Sequence, residues 1–321
     1  MKALESRALR GILCTVVGGI FWGFSGTCGE YLFSHYEVST LWVTCVREIG
    51  AGAVLLIAAL AKRSPGVTGI WKSWRDALRL LLFSLGGLVL CQYSYMTAIS
   101  YTNAGTTTVL QNLNLVFIMI LVCIAGRRLP SRKEALAAVL AVAGTFLLAT
   151  HGDPRHMVLS PVGLFWGLTT AVAVTIYTLL PARILAKWGN LVVMGWGMLV
   201  GGVCLTLFSR AWREPVELHT GLVLTTGAIT FLGTVVAFGL FMQGVTLIGP
   251  VRASMLATAE PVAATVFSFL WLGTSFQLID LAGFLCILAT VFLLAGKDDR
   301  ANADTPDQPD DLSLSGDGSP S

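Results

Sequence analysis

The sequence predicts an all-α membrane protein: ten transmembrane helices forming two inverted five-helix repeats, with both termini in the cytoplasm. Three observations carry this reading. The 321 residues are 55% hydrophobic and only 12% charged, with a mean hydropathy of +0.76, whereas a soluble domain is nearer a quarter charged. Ten apolar runs follow one another, each close to the length a helix needs to cross about 30 Å of hydrocarbon. Lys and Arg alternate between successive loops with a strong bias.

In order, the runs cover about residues 11–31, 39–60, 78–98, 104–125, 134–150, 160–181, 191–208, 219–241, 251–272 and 277–296. None shows the short alternating pattern of a barrel strand. The first run follows Lys2, Arg7 and Arg10, as a signal peptide would. It is too long for one, lacks an A-x-A site, and precedes nine more runs. The second run holds two charges, Arg47 and Glu48. Seventeen of the 21 Lys and Arg fall at the termini and in the loops on one side, against three (Arg155, Arg210 and Arg213) on the other. This bias puts the N-terminus and the C-terminus inside. After Gly296 the chain turns polar, with seven Asp in its last 25 residues, which reads as a disordered acidic cytoplasmic tail.

The seven Cys are scattered through the spans with no C-x-x-C. They read as small apolar helix residues rather than a disulfide framework or zinc site. The four His lie in or beside outer loops. No metal or cofactor is expected.

An internal repeat organises the chain. Shifted by 146 residues, "YMTAIS" at 95–100 falls on "FMQGVT" at 241–246, and "GTFLLA" at 144–149 on "TVFLLA" at 290–295. At a shift of 144, "FWG" at 21–23 falls on "FWG" at 165–167. Residues 1–150 and 151–297 are therefore expected to be two copies of one unit, followed by the tail at 298–321. Five is odd, so the second copy enters the membrane from the opposite side. Inverted repeats with a site between them are a signature of secondary transporters.

Ionisable residues inside a bilayer cost roughly 2.5–3.5 kcal/mol each on insertion scales and are functional candidates by default. Arg47 lies roughly 12 Å into its helix at 1.5 Å per residue, too deep for easy snorkelling. Glu48 is turned about 100° from it. Glu260 falls near the midplane and is followed by Pro261, which lacks a backbone N–H, so the helix is expected to kink or open there. Freed carbonyls at that depth are tolerated only beside protein or a water-filled cavity. The repeat pairs Glu260 with Asn114 and Thr258 with Asn112. Thr107, Gln111 and Asn114 share one helical face. Gln92 and Tyr95 from span 3, Tyr177 from span 6, and the repeat-paired Trp22 and Trp166 complete the candidate lining. Competing structural readings exist: hydroxyls bonding within their own helix, amides gluing helices, tryptophans packing. Glu30 and Asp280 lie near span ends, where interfacial solvation accounts for them.

These features together resemble the drug/metabolite transporter superfamily, specifically its EamA-type ten-helix members, over about residues 10–296. The likeness rests on Trp22-Gly23 and Trp166-Gly167, Arg47, Glu260-Pro261, and the closing "GTFLLA" and "TVFLLA" helices. It implies a bacterial inner-membrane carrier with a solute cavity between the repeats, many relatives exporting amino acids or other small metabolites. Leu115 stands where the family commonly has proline, and Glu48 is not a general family feature. The expected function is secondary transport of a small polar metabolite by alternating access, with efflux as its direction. The expected partners are that solute, a coupling proton and membrane lipid, with no nucleic acid, the chain being a monomer or homodimer. An intramembrane enzyme acting on lipid is the alternative, but no H-E-x-x-H or G-x-S-x-G supports it. A membrane sensor is a further one, but the tail carries no output module.

Overall fold

A computed structural model describes residues 2–64 and 66–295; the expected acidic tail at 298–321 lies outside the described residues. All regular structure among the described residues is helical. Among the described residues, eight helices are long and apolar enough to cross a membrane: α1 (Arg7–His35), α2 (Thr40–Ala61), α3 (Trp74–Tyr101), α4 (Ala104–Ala125), α5 (Arg132–Thr150), α6 (Pro161–Leu179), α7 (Asn190–Ser209) and α8 (Thr220–Ile248). The ninth expected run is divided into Pro250–Leu256 and Ala259–Leu272, together called α9. The tenth, α10 (Leu278–Leu294), is shorter than the first eight.

Two helices are broken at repeat-related places. In α4 the break falls between Ala104–Gln111 and Asn114–Ala125; in α9 it falls at Ala257 and Thr258. At both, the backbone tightens to three-residue turns. Asn112 N–H donates to Val109 O at 3.1 Å and Thr258 N–H to Met255 O at 3.3 Å, the same bond moved by 146 residues. Two further irregularities match. α3 contains a π-helical turn at Phe83–Val89 and α8 one at Phe231–Val236, with Gly87 and Gly233 as counterparts. Such widened turns concentrate at functional sites.

The packing repeats as well. α2 lies along α7, α5 along α10, and the first piece of α4 against the second piece of α9. α1 packs on α8 and α9, while α6 packs on α3 and α4. Taken as whole helices, replacing each by the one five places on leaves these pairings unchanged, although the contact between α4 and α9 is made by the first piece of one and the second piece of the other. Small residues allow the close approaches. A Cβ on Gly52 would overlap the backbone of Leu199 in α7, and one on Gly144 would stand 2.8 Å from Gly283 O in α10.

Candidate functional site

The site begins with Arg47. α2 carries it into the protein, where it is only 5% exposed. Its Nε donates to Thr234 Oγ1 at 2.9 Å. Thr234 lies in the π-turn of α8 and in turn donates to Ile229 O at 3.1 Å. The widened turn thus supplies the hydroxyl that orients the guanidinium. Arg47 Nη1 is buried and has no hydrogen-bond partner among the described residues, so a donor with charge behind it remains unused.

Arg47 lines a cavity of about 130 Å³, room for about four waters at roughly 30 Å³ each. Arg47, Glu260, Tyr95, Gln111 and Trp22 line it together. Gln92 and Tyr177 join them. Glu260 is half-buried and faces Arg47 without forming an ion pair among the described residues. A cation and a carboxylate therefore share one small space with their mutual contact unmade. Tyr95 is fixed by a 2.9 Å hydrogen bond between its hydroxyl and Thr108 Oγ1, and Trp22 by its contact with Phe241 at 5.1 Å between ring centres.

Four expected lining residues stand elsewhere. Asn114 begins the second piece of α4, and its carbonyl accepts a hydrogen bond from Thr175 Oγ1 at 3.2 Å. Three-residue turns at the break advance the chain about 20° more per residue than an α-helix does, which rotates Asn114 off the face shared by Thr107 and Gln111. Thr107 itself is buried against Thr102, 2.8 Å between hydroxyls. Thr258 bonds within its own turn, Oγ1 donating to Met255 O at 2.7 Å. Trp166 packs edge-on to Tyr93, 5.4 Å between ring centres. Sequence reasoning missed Ser25, Cys91, Thr234, Met194, Met198 and Phe238, which also line the cavity. Ser25 and Thr234 carried one signal, a hydroxyl beside a glycine; a Cβ on Gly233 would overlap Ser25 Oγ.

Each end of the bundle is held by a buried carboxylate. Glu30 is 8% exposed, not solvated at an interface as its place near a helix end suggested. Its Oε2 accepts from Ala104 N–H at 2.9 Å and from Ser268 Oγ at 2.7 Å. Its Oε1 accepts from Thr274 Oγ1 at 2.6 Å. The reason is the start of α4, whose free N–H groups and helix dipole favour a carboxylate. Glu30 thereby joins α1 and α4 to α9 and the loop after it. Asp280 is likewise paired, at 2.7 Å to His151 Nε2, because α5 and α10 end side by side. At the opposite end Asp76, 4% exposed, accepts from Lys187 Nζ at 2.6 Å and Trp188 Nε1 at 3.1 Å, tying α3 to the segment between α6 and α7. The cavity lies between the two ends, with Arg47, Tyr95 and Gln111 about two turns from the helix ends on the Glu30 side. Its lining reaches Tyr177 and Met194, within about one turn of the end of α6 and the start of α7.

The comparisons with known proteins agree with this architecture. The sequence profile of the EamA-like transporter family matches residues 9–150 and again 161–296. The chain is 35% identical over 286 residues to the uncharacterised inner membrane transporter YicL of Salmonella typhimurium, covering 89% of this chain and 95% of that one. It is 23% identical over 285 residues to the uncharacterised transporter YyaM of Bacillus subtilis, covering 86% and 90%. A solved crystal structure superposes with a TM-score of 0.61 at 16% identity, over 92% of this chain and 99% of that one, a likeness of fold. The chain belongs to the EamA-like transporter family.

Proposed function

We propose that this chain is a multi-pass inner-membrane secondary transporter that exports a small polar metabolite, of amino-acid size, by alternating access. The observation that carries the reading is that Arg47 and Glu260 line one cavity, while Arg47 keeps a donor without a partner among the described residues. A guanidinium with a free donor suits a carboxylate on the solute; Glu260 suits an amine or a coupling proton. The cavity's size supports a small solute and speaks against a lipid substrate. The two halves, 1–150 and 151–297, rock about this site, in the manner of carriers whose binding site lies between repeats. Glu30 and its three donors hold one end closed, and the Asp76 cluster with its exposed lysine holds the other more weakly.

The test is thermal stability of the purified protein against amino acids, sugars, sugar phosphates, nucleosides and organic cations. A ligand at 100 times its Kd stabilises by about 2.7 kcal/mol. Stabilisation by one class carrying a carboxylate, abolished in Arg47→Ala, is the expected result, followed by flux of that solute in proteoliposomes. Flux that survives Arg47→Ala unchanged rules out this site.

A further inference from the structure

Glu48 follows Arg47 in sequence and points away from it in space. It is 1% exposed, and neither carboxyl oxygen has a hydrogen-bond partner among the described residues. No ion pair joins it to Arg47. The 100° step of the helix turns it out of the cavity and onto α7. There Gly202 makes room for it: a Cβ on that glycine would lie 2.8 Å from Glu48 Cβ.

The surroundings offer no counter-charge apart from Arg47. α7 and α8, which pack against α2, contain no charged residue, and Cys204 is their one titratable side chain. From α3 the group within electrostatic reach is Cys91, and from α2 itself Arg47 and Cys45, beyond which stands Glu214. Glu260 reaches this set from α9 through Arg47 and Cys91. An ionised carboxylate without a single donor at such a place costs several kcal/mol. The neutral acid, even with its hydrogen bonds unmade, costs less, because only polar desolvation and not the burial of a net charge is involved. The smaller cost decides the form.

We propose that Glu48 is a proton-binding site, loaded in this conformation and emptied when α2 shifts along α7. The seam between the two helices is built to permit such a shift. Gly52 and Gly195 bring the backbones together at Leu199 and Leu56, and no hydrogen bond or ion pair crosses it at Glu48. When the shift turns Glu48 toward the cavity, its O–H bond breaks. The proton leaves to cavity water, and the carboxylate left behind is solvated there. The use of the proton in coupling rests on the transporter reading; the site itself does not.

The experiment is infrared spectroscopy of the full-length protein in lipid nanodiscs, reading the C=O stretch of protonated carboxylic acids at neutral pH. A band present in the natural protein and lost in Glu48→Gln, but retained in Glu260→Gln, is the expected result. An identical spectrum in Glu48→Gln overturns the proposal. So does failure of Glu48→Gln to fold, because glutamine is the isosteric stand-in for the neutral acid. Arg47→Gln then tests the surroundings: removal of the neighbouring cation should move the band's titration to at least tenfold lower proton concentration, and an unmoved midpoint overturns the assignment of the band to Glu48. Neither negative outcome touches the solute-induced stabilisation through Arg47, so the two readings fail separately.

Discussion

The broken helices α4 and α9 reach the same backbone by different chemistry. α9 uses proline twice. Pro250 stands at the first helical position, where its missing N–H removes one donor that would otherwise need a partner. Pro261 leaves the Ala257 carbonyl without its usual donor, and Glu260 N–H takes that carbonyl instead at 2.9 Å. α4 has no proline in either place. Its counterpart to Pro250 is Ala104, whose N–H is satisfied by Glu30, while Asn103 Oδ1 caps Thr106 N–H at 2.7 Å. At the break, Asn112 Nδ2 donates to Thr108 O at 2.9 Å, the carbonyl its own N–H would have taken in a continuous helix. One half breaks its helix by deleting donors, the other by supplying side chains. The second solution depends on single residues, and it needs a carboxylate inside the bundle.

The comparison can be broken at several points. The largest effect is expected at the repeat-related pair Glu260 and Asn114. Glu260→Gln should abolish proton-coupled flux in proteoliposomes, whereas Asn114→Ala should leave it within about twofold, since the contact recorded for Asn114 uses its main chain. Equal losses in both would remove the asymmetry. Next comes the start of α4. Glu30→Ala leaves three donors without an acceptor and should destabilise by about 3 kcal/mol in thermal unfolding. Glu30→Gln keeps an acceptor and should cost about 1 kcal/mol; a loss below that in the alanine variant would mean that water replaces the carboxylate.

Smaller effects sharpen the contrast at the breaks. Asn112→Leu removes the side-chain donor to Thr108 O and should cost about 1 kcal/mol. Pro261→Ala should change stability by less than about 1 kcal/mol, because the proline occupies the first turn of its piece, where it is well tolerated. Its effect should appear in flux, as a regained N–H allows α9 to straighten and Glu260 to turn from the cavity. If Asn112→Leu is silent and Pro261→Ala unfolds the protein, proline holds both breaks.

Arg47 and Glu260 could be named from sequence because an ionisable residue in an apolar run is rare enough to stand out on its own. Gln111, Tyr95 and Trp22 followed from placing polar and aromatic residues on shared faces. Asn114 failed for a local reason: a face extrapolated across a break inherits its rotation. Thr234 was out of reach, since its role depends on a π-turn that composition does not mark and on a bond to a residue 187 positions away. Glu30 and Asp280 were misjudged alike. Nearness to a helix end was read as nearness to water, while packing had placed another helix terminus there.

By itself the sequence determined the helices, because long apolar runs have one way to satisfy their backbone in a membrane. It also determined the repeat and the two charges that needed a polar space. The tertiary structure decided which polar residues share that space and which are consumed in holding helices together. That choice turns on helix rotation, on breaks without proline and on glycine contacts between α2 and α7, and each of these is fixed by packing between segments far apart in the chain.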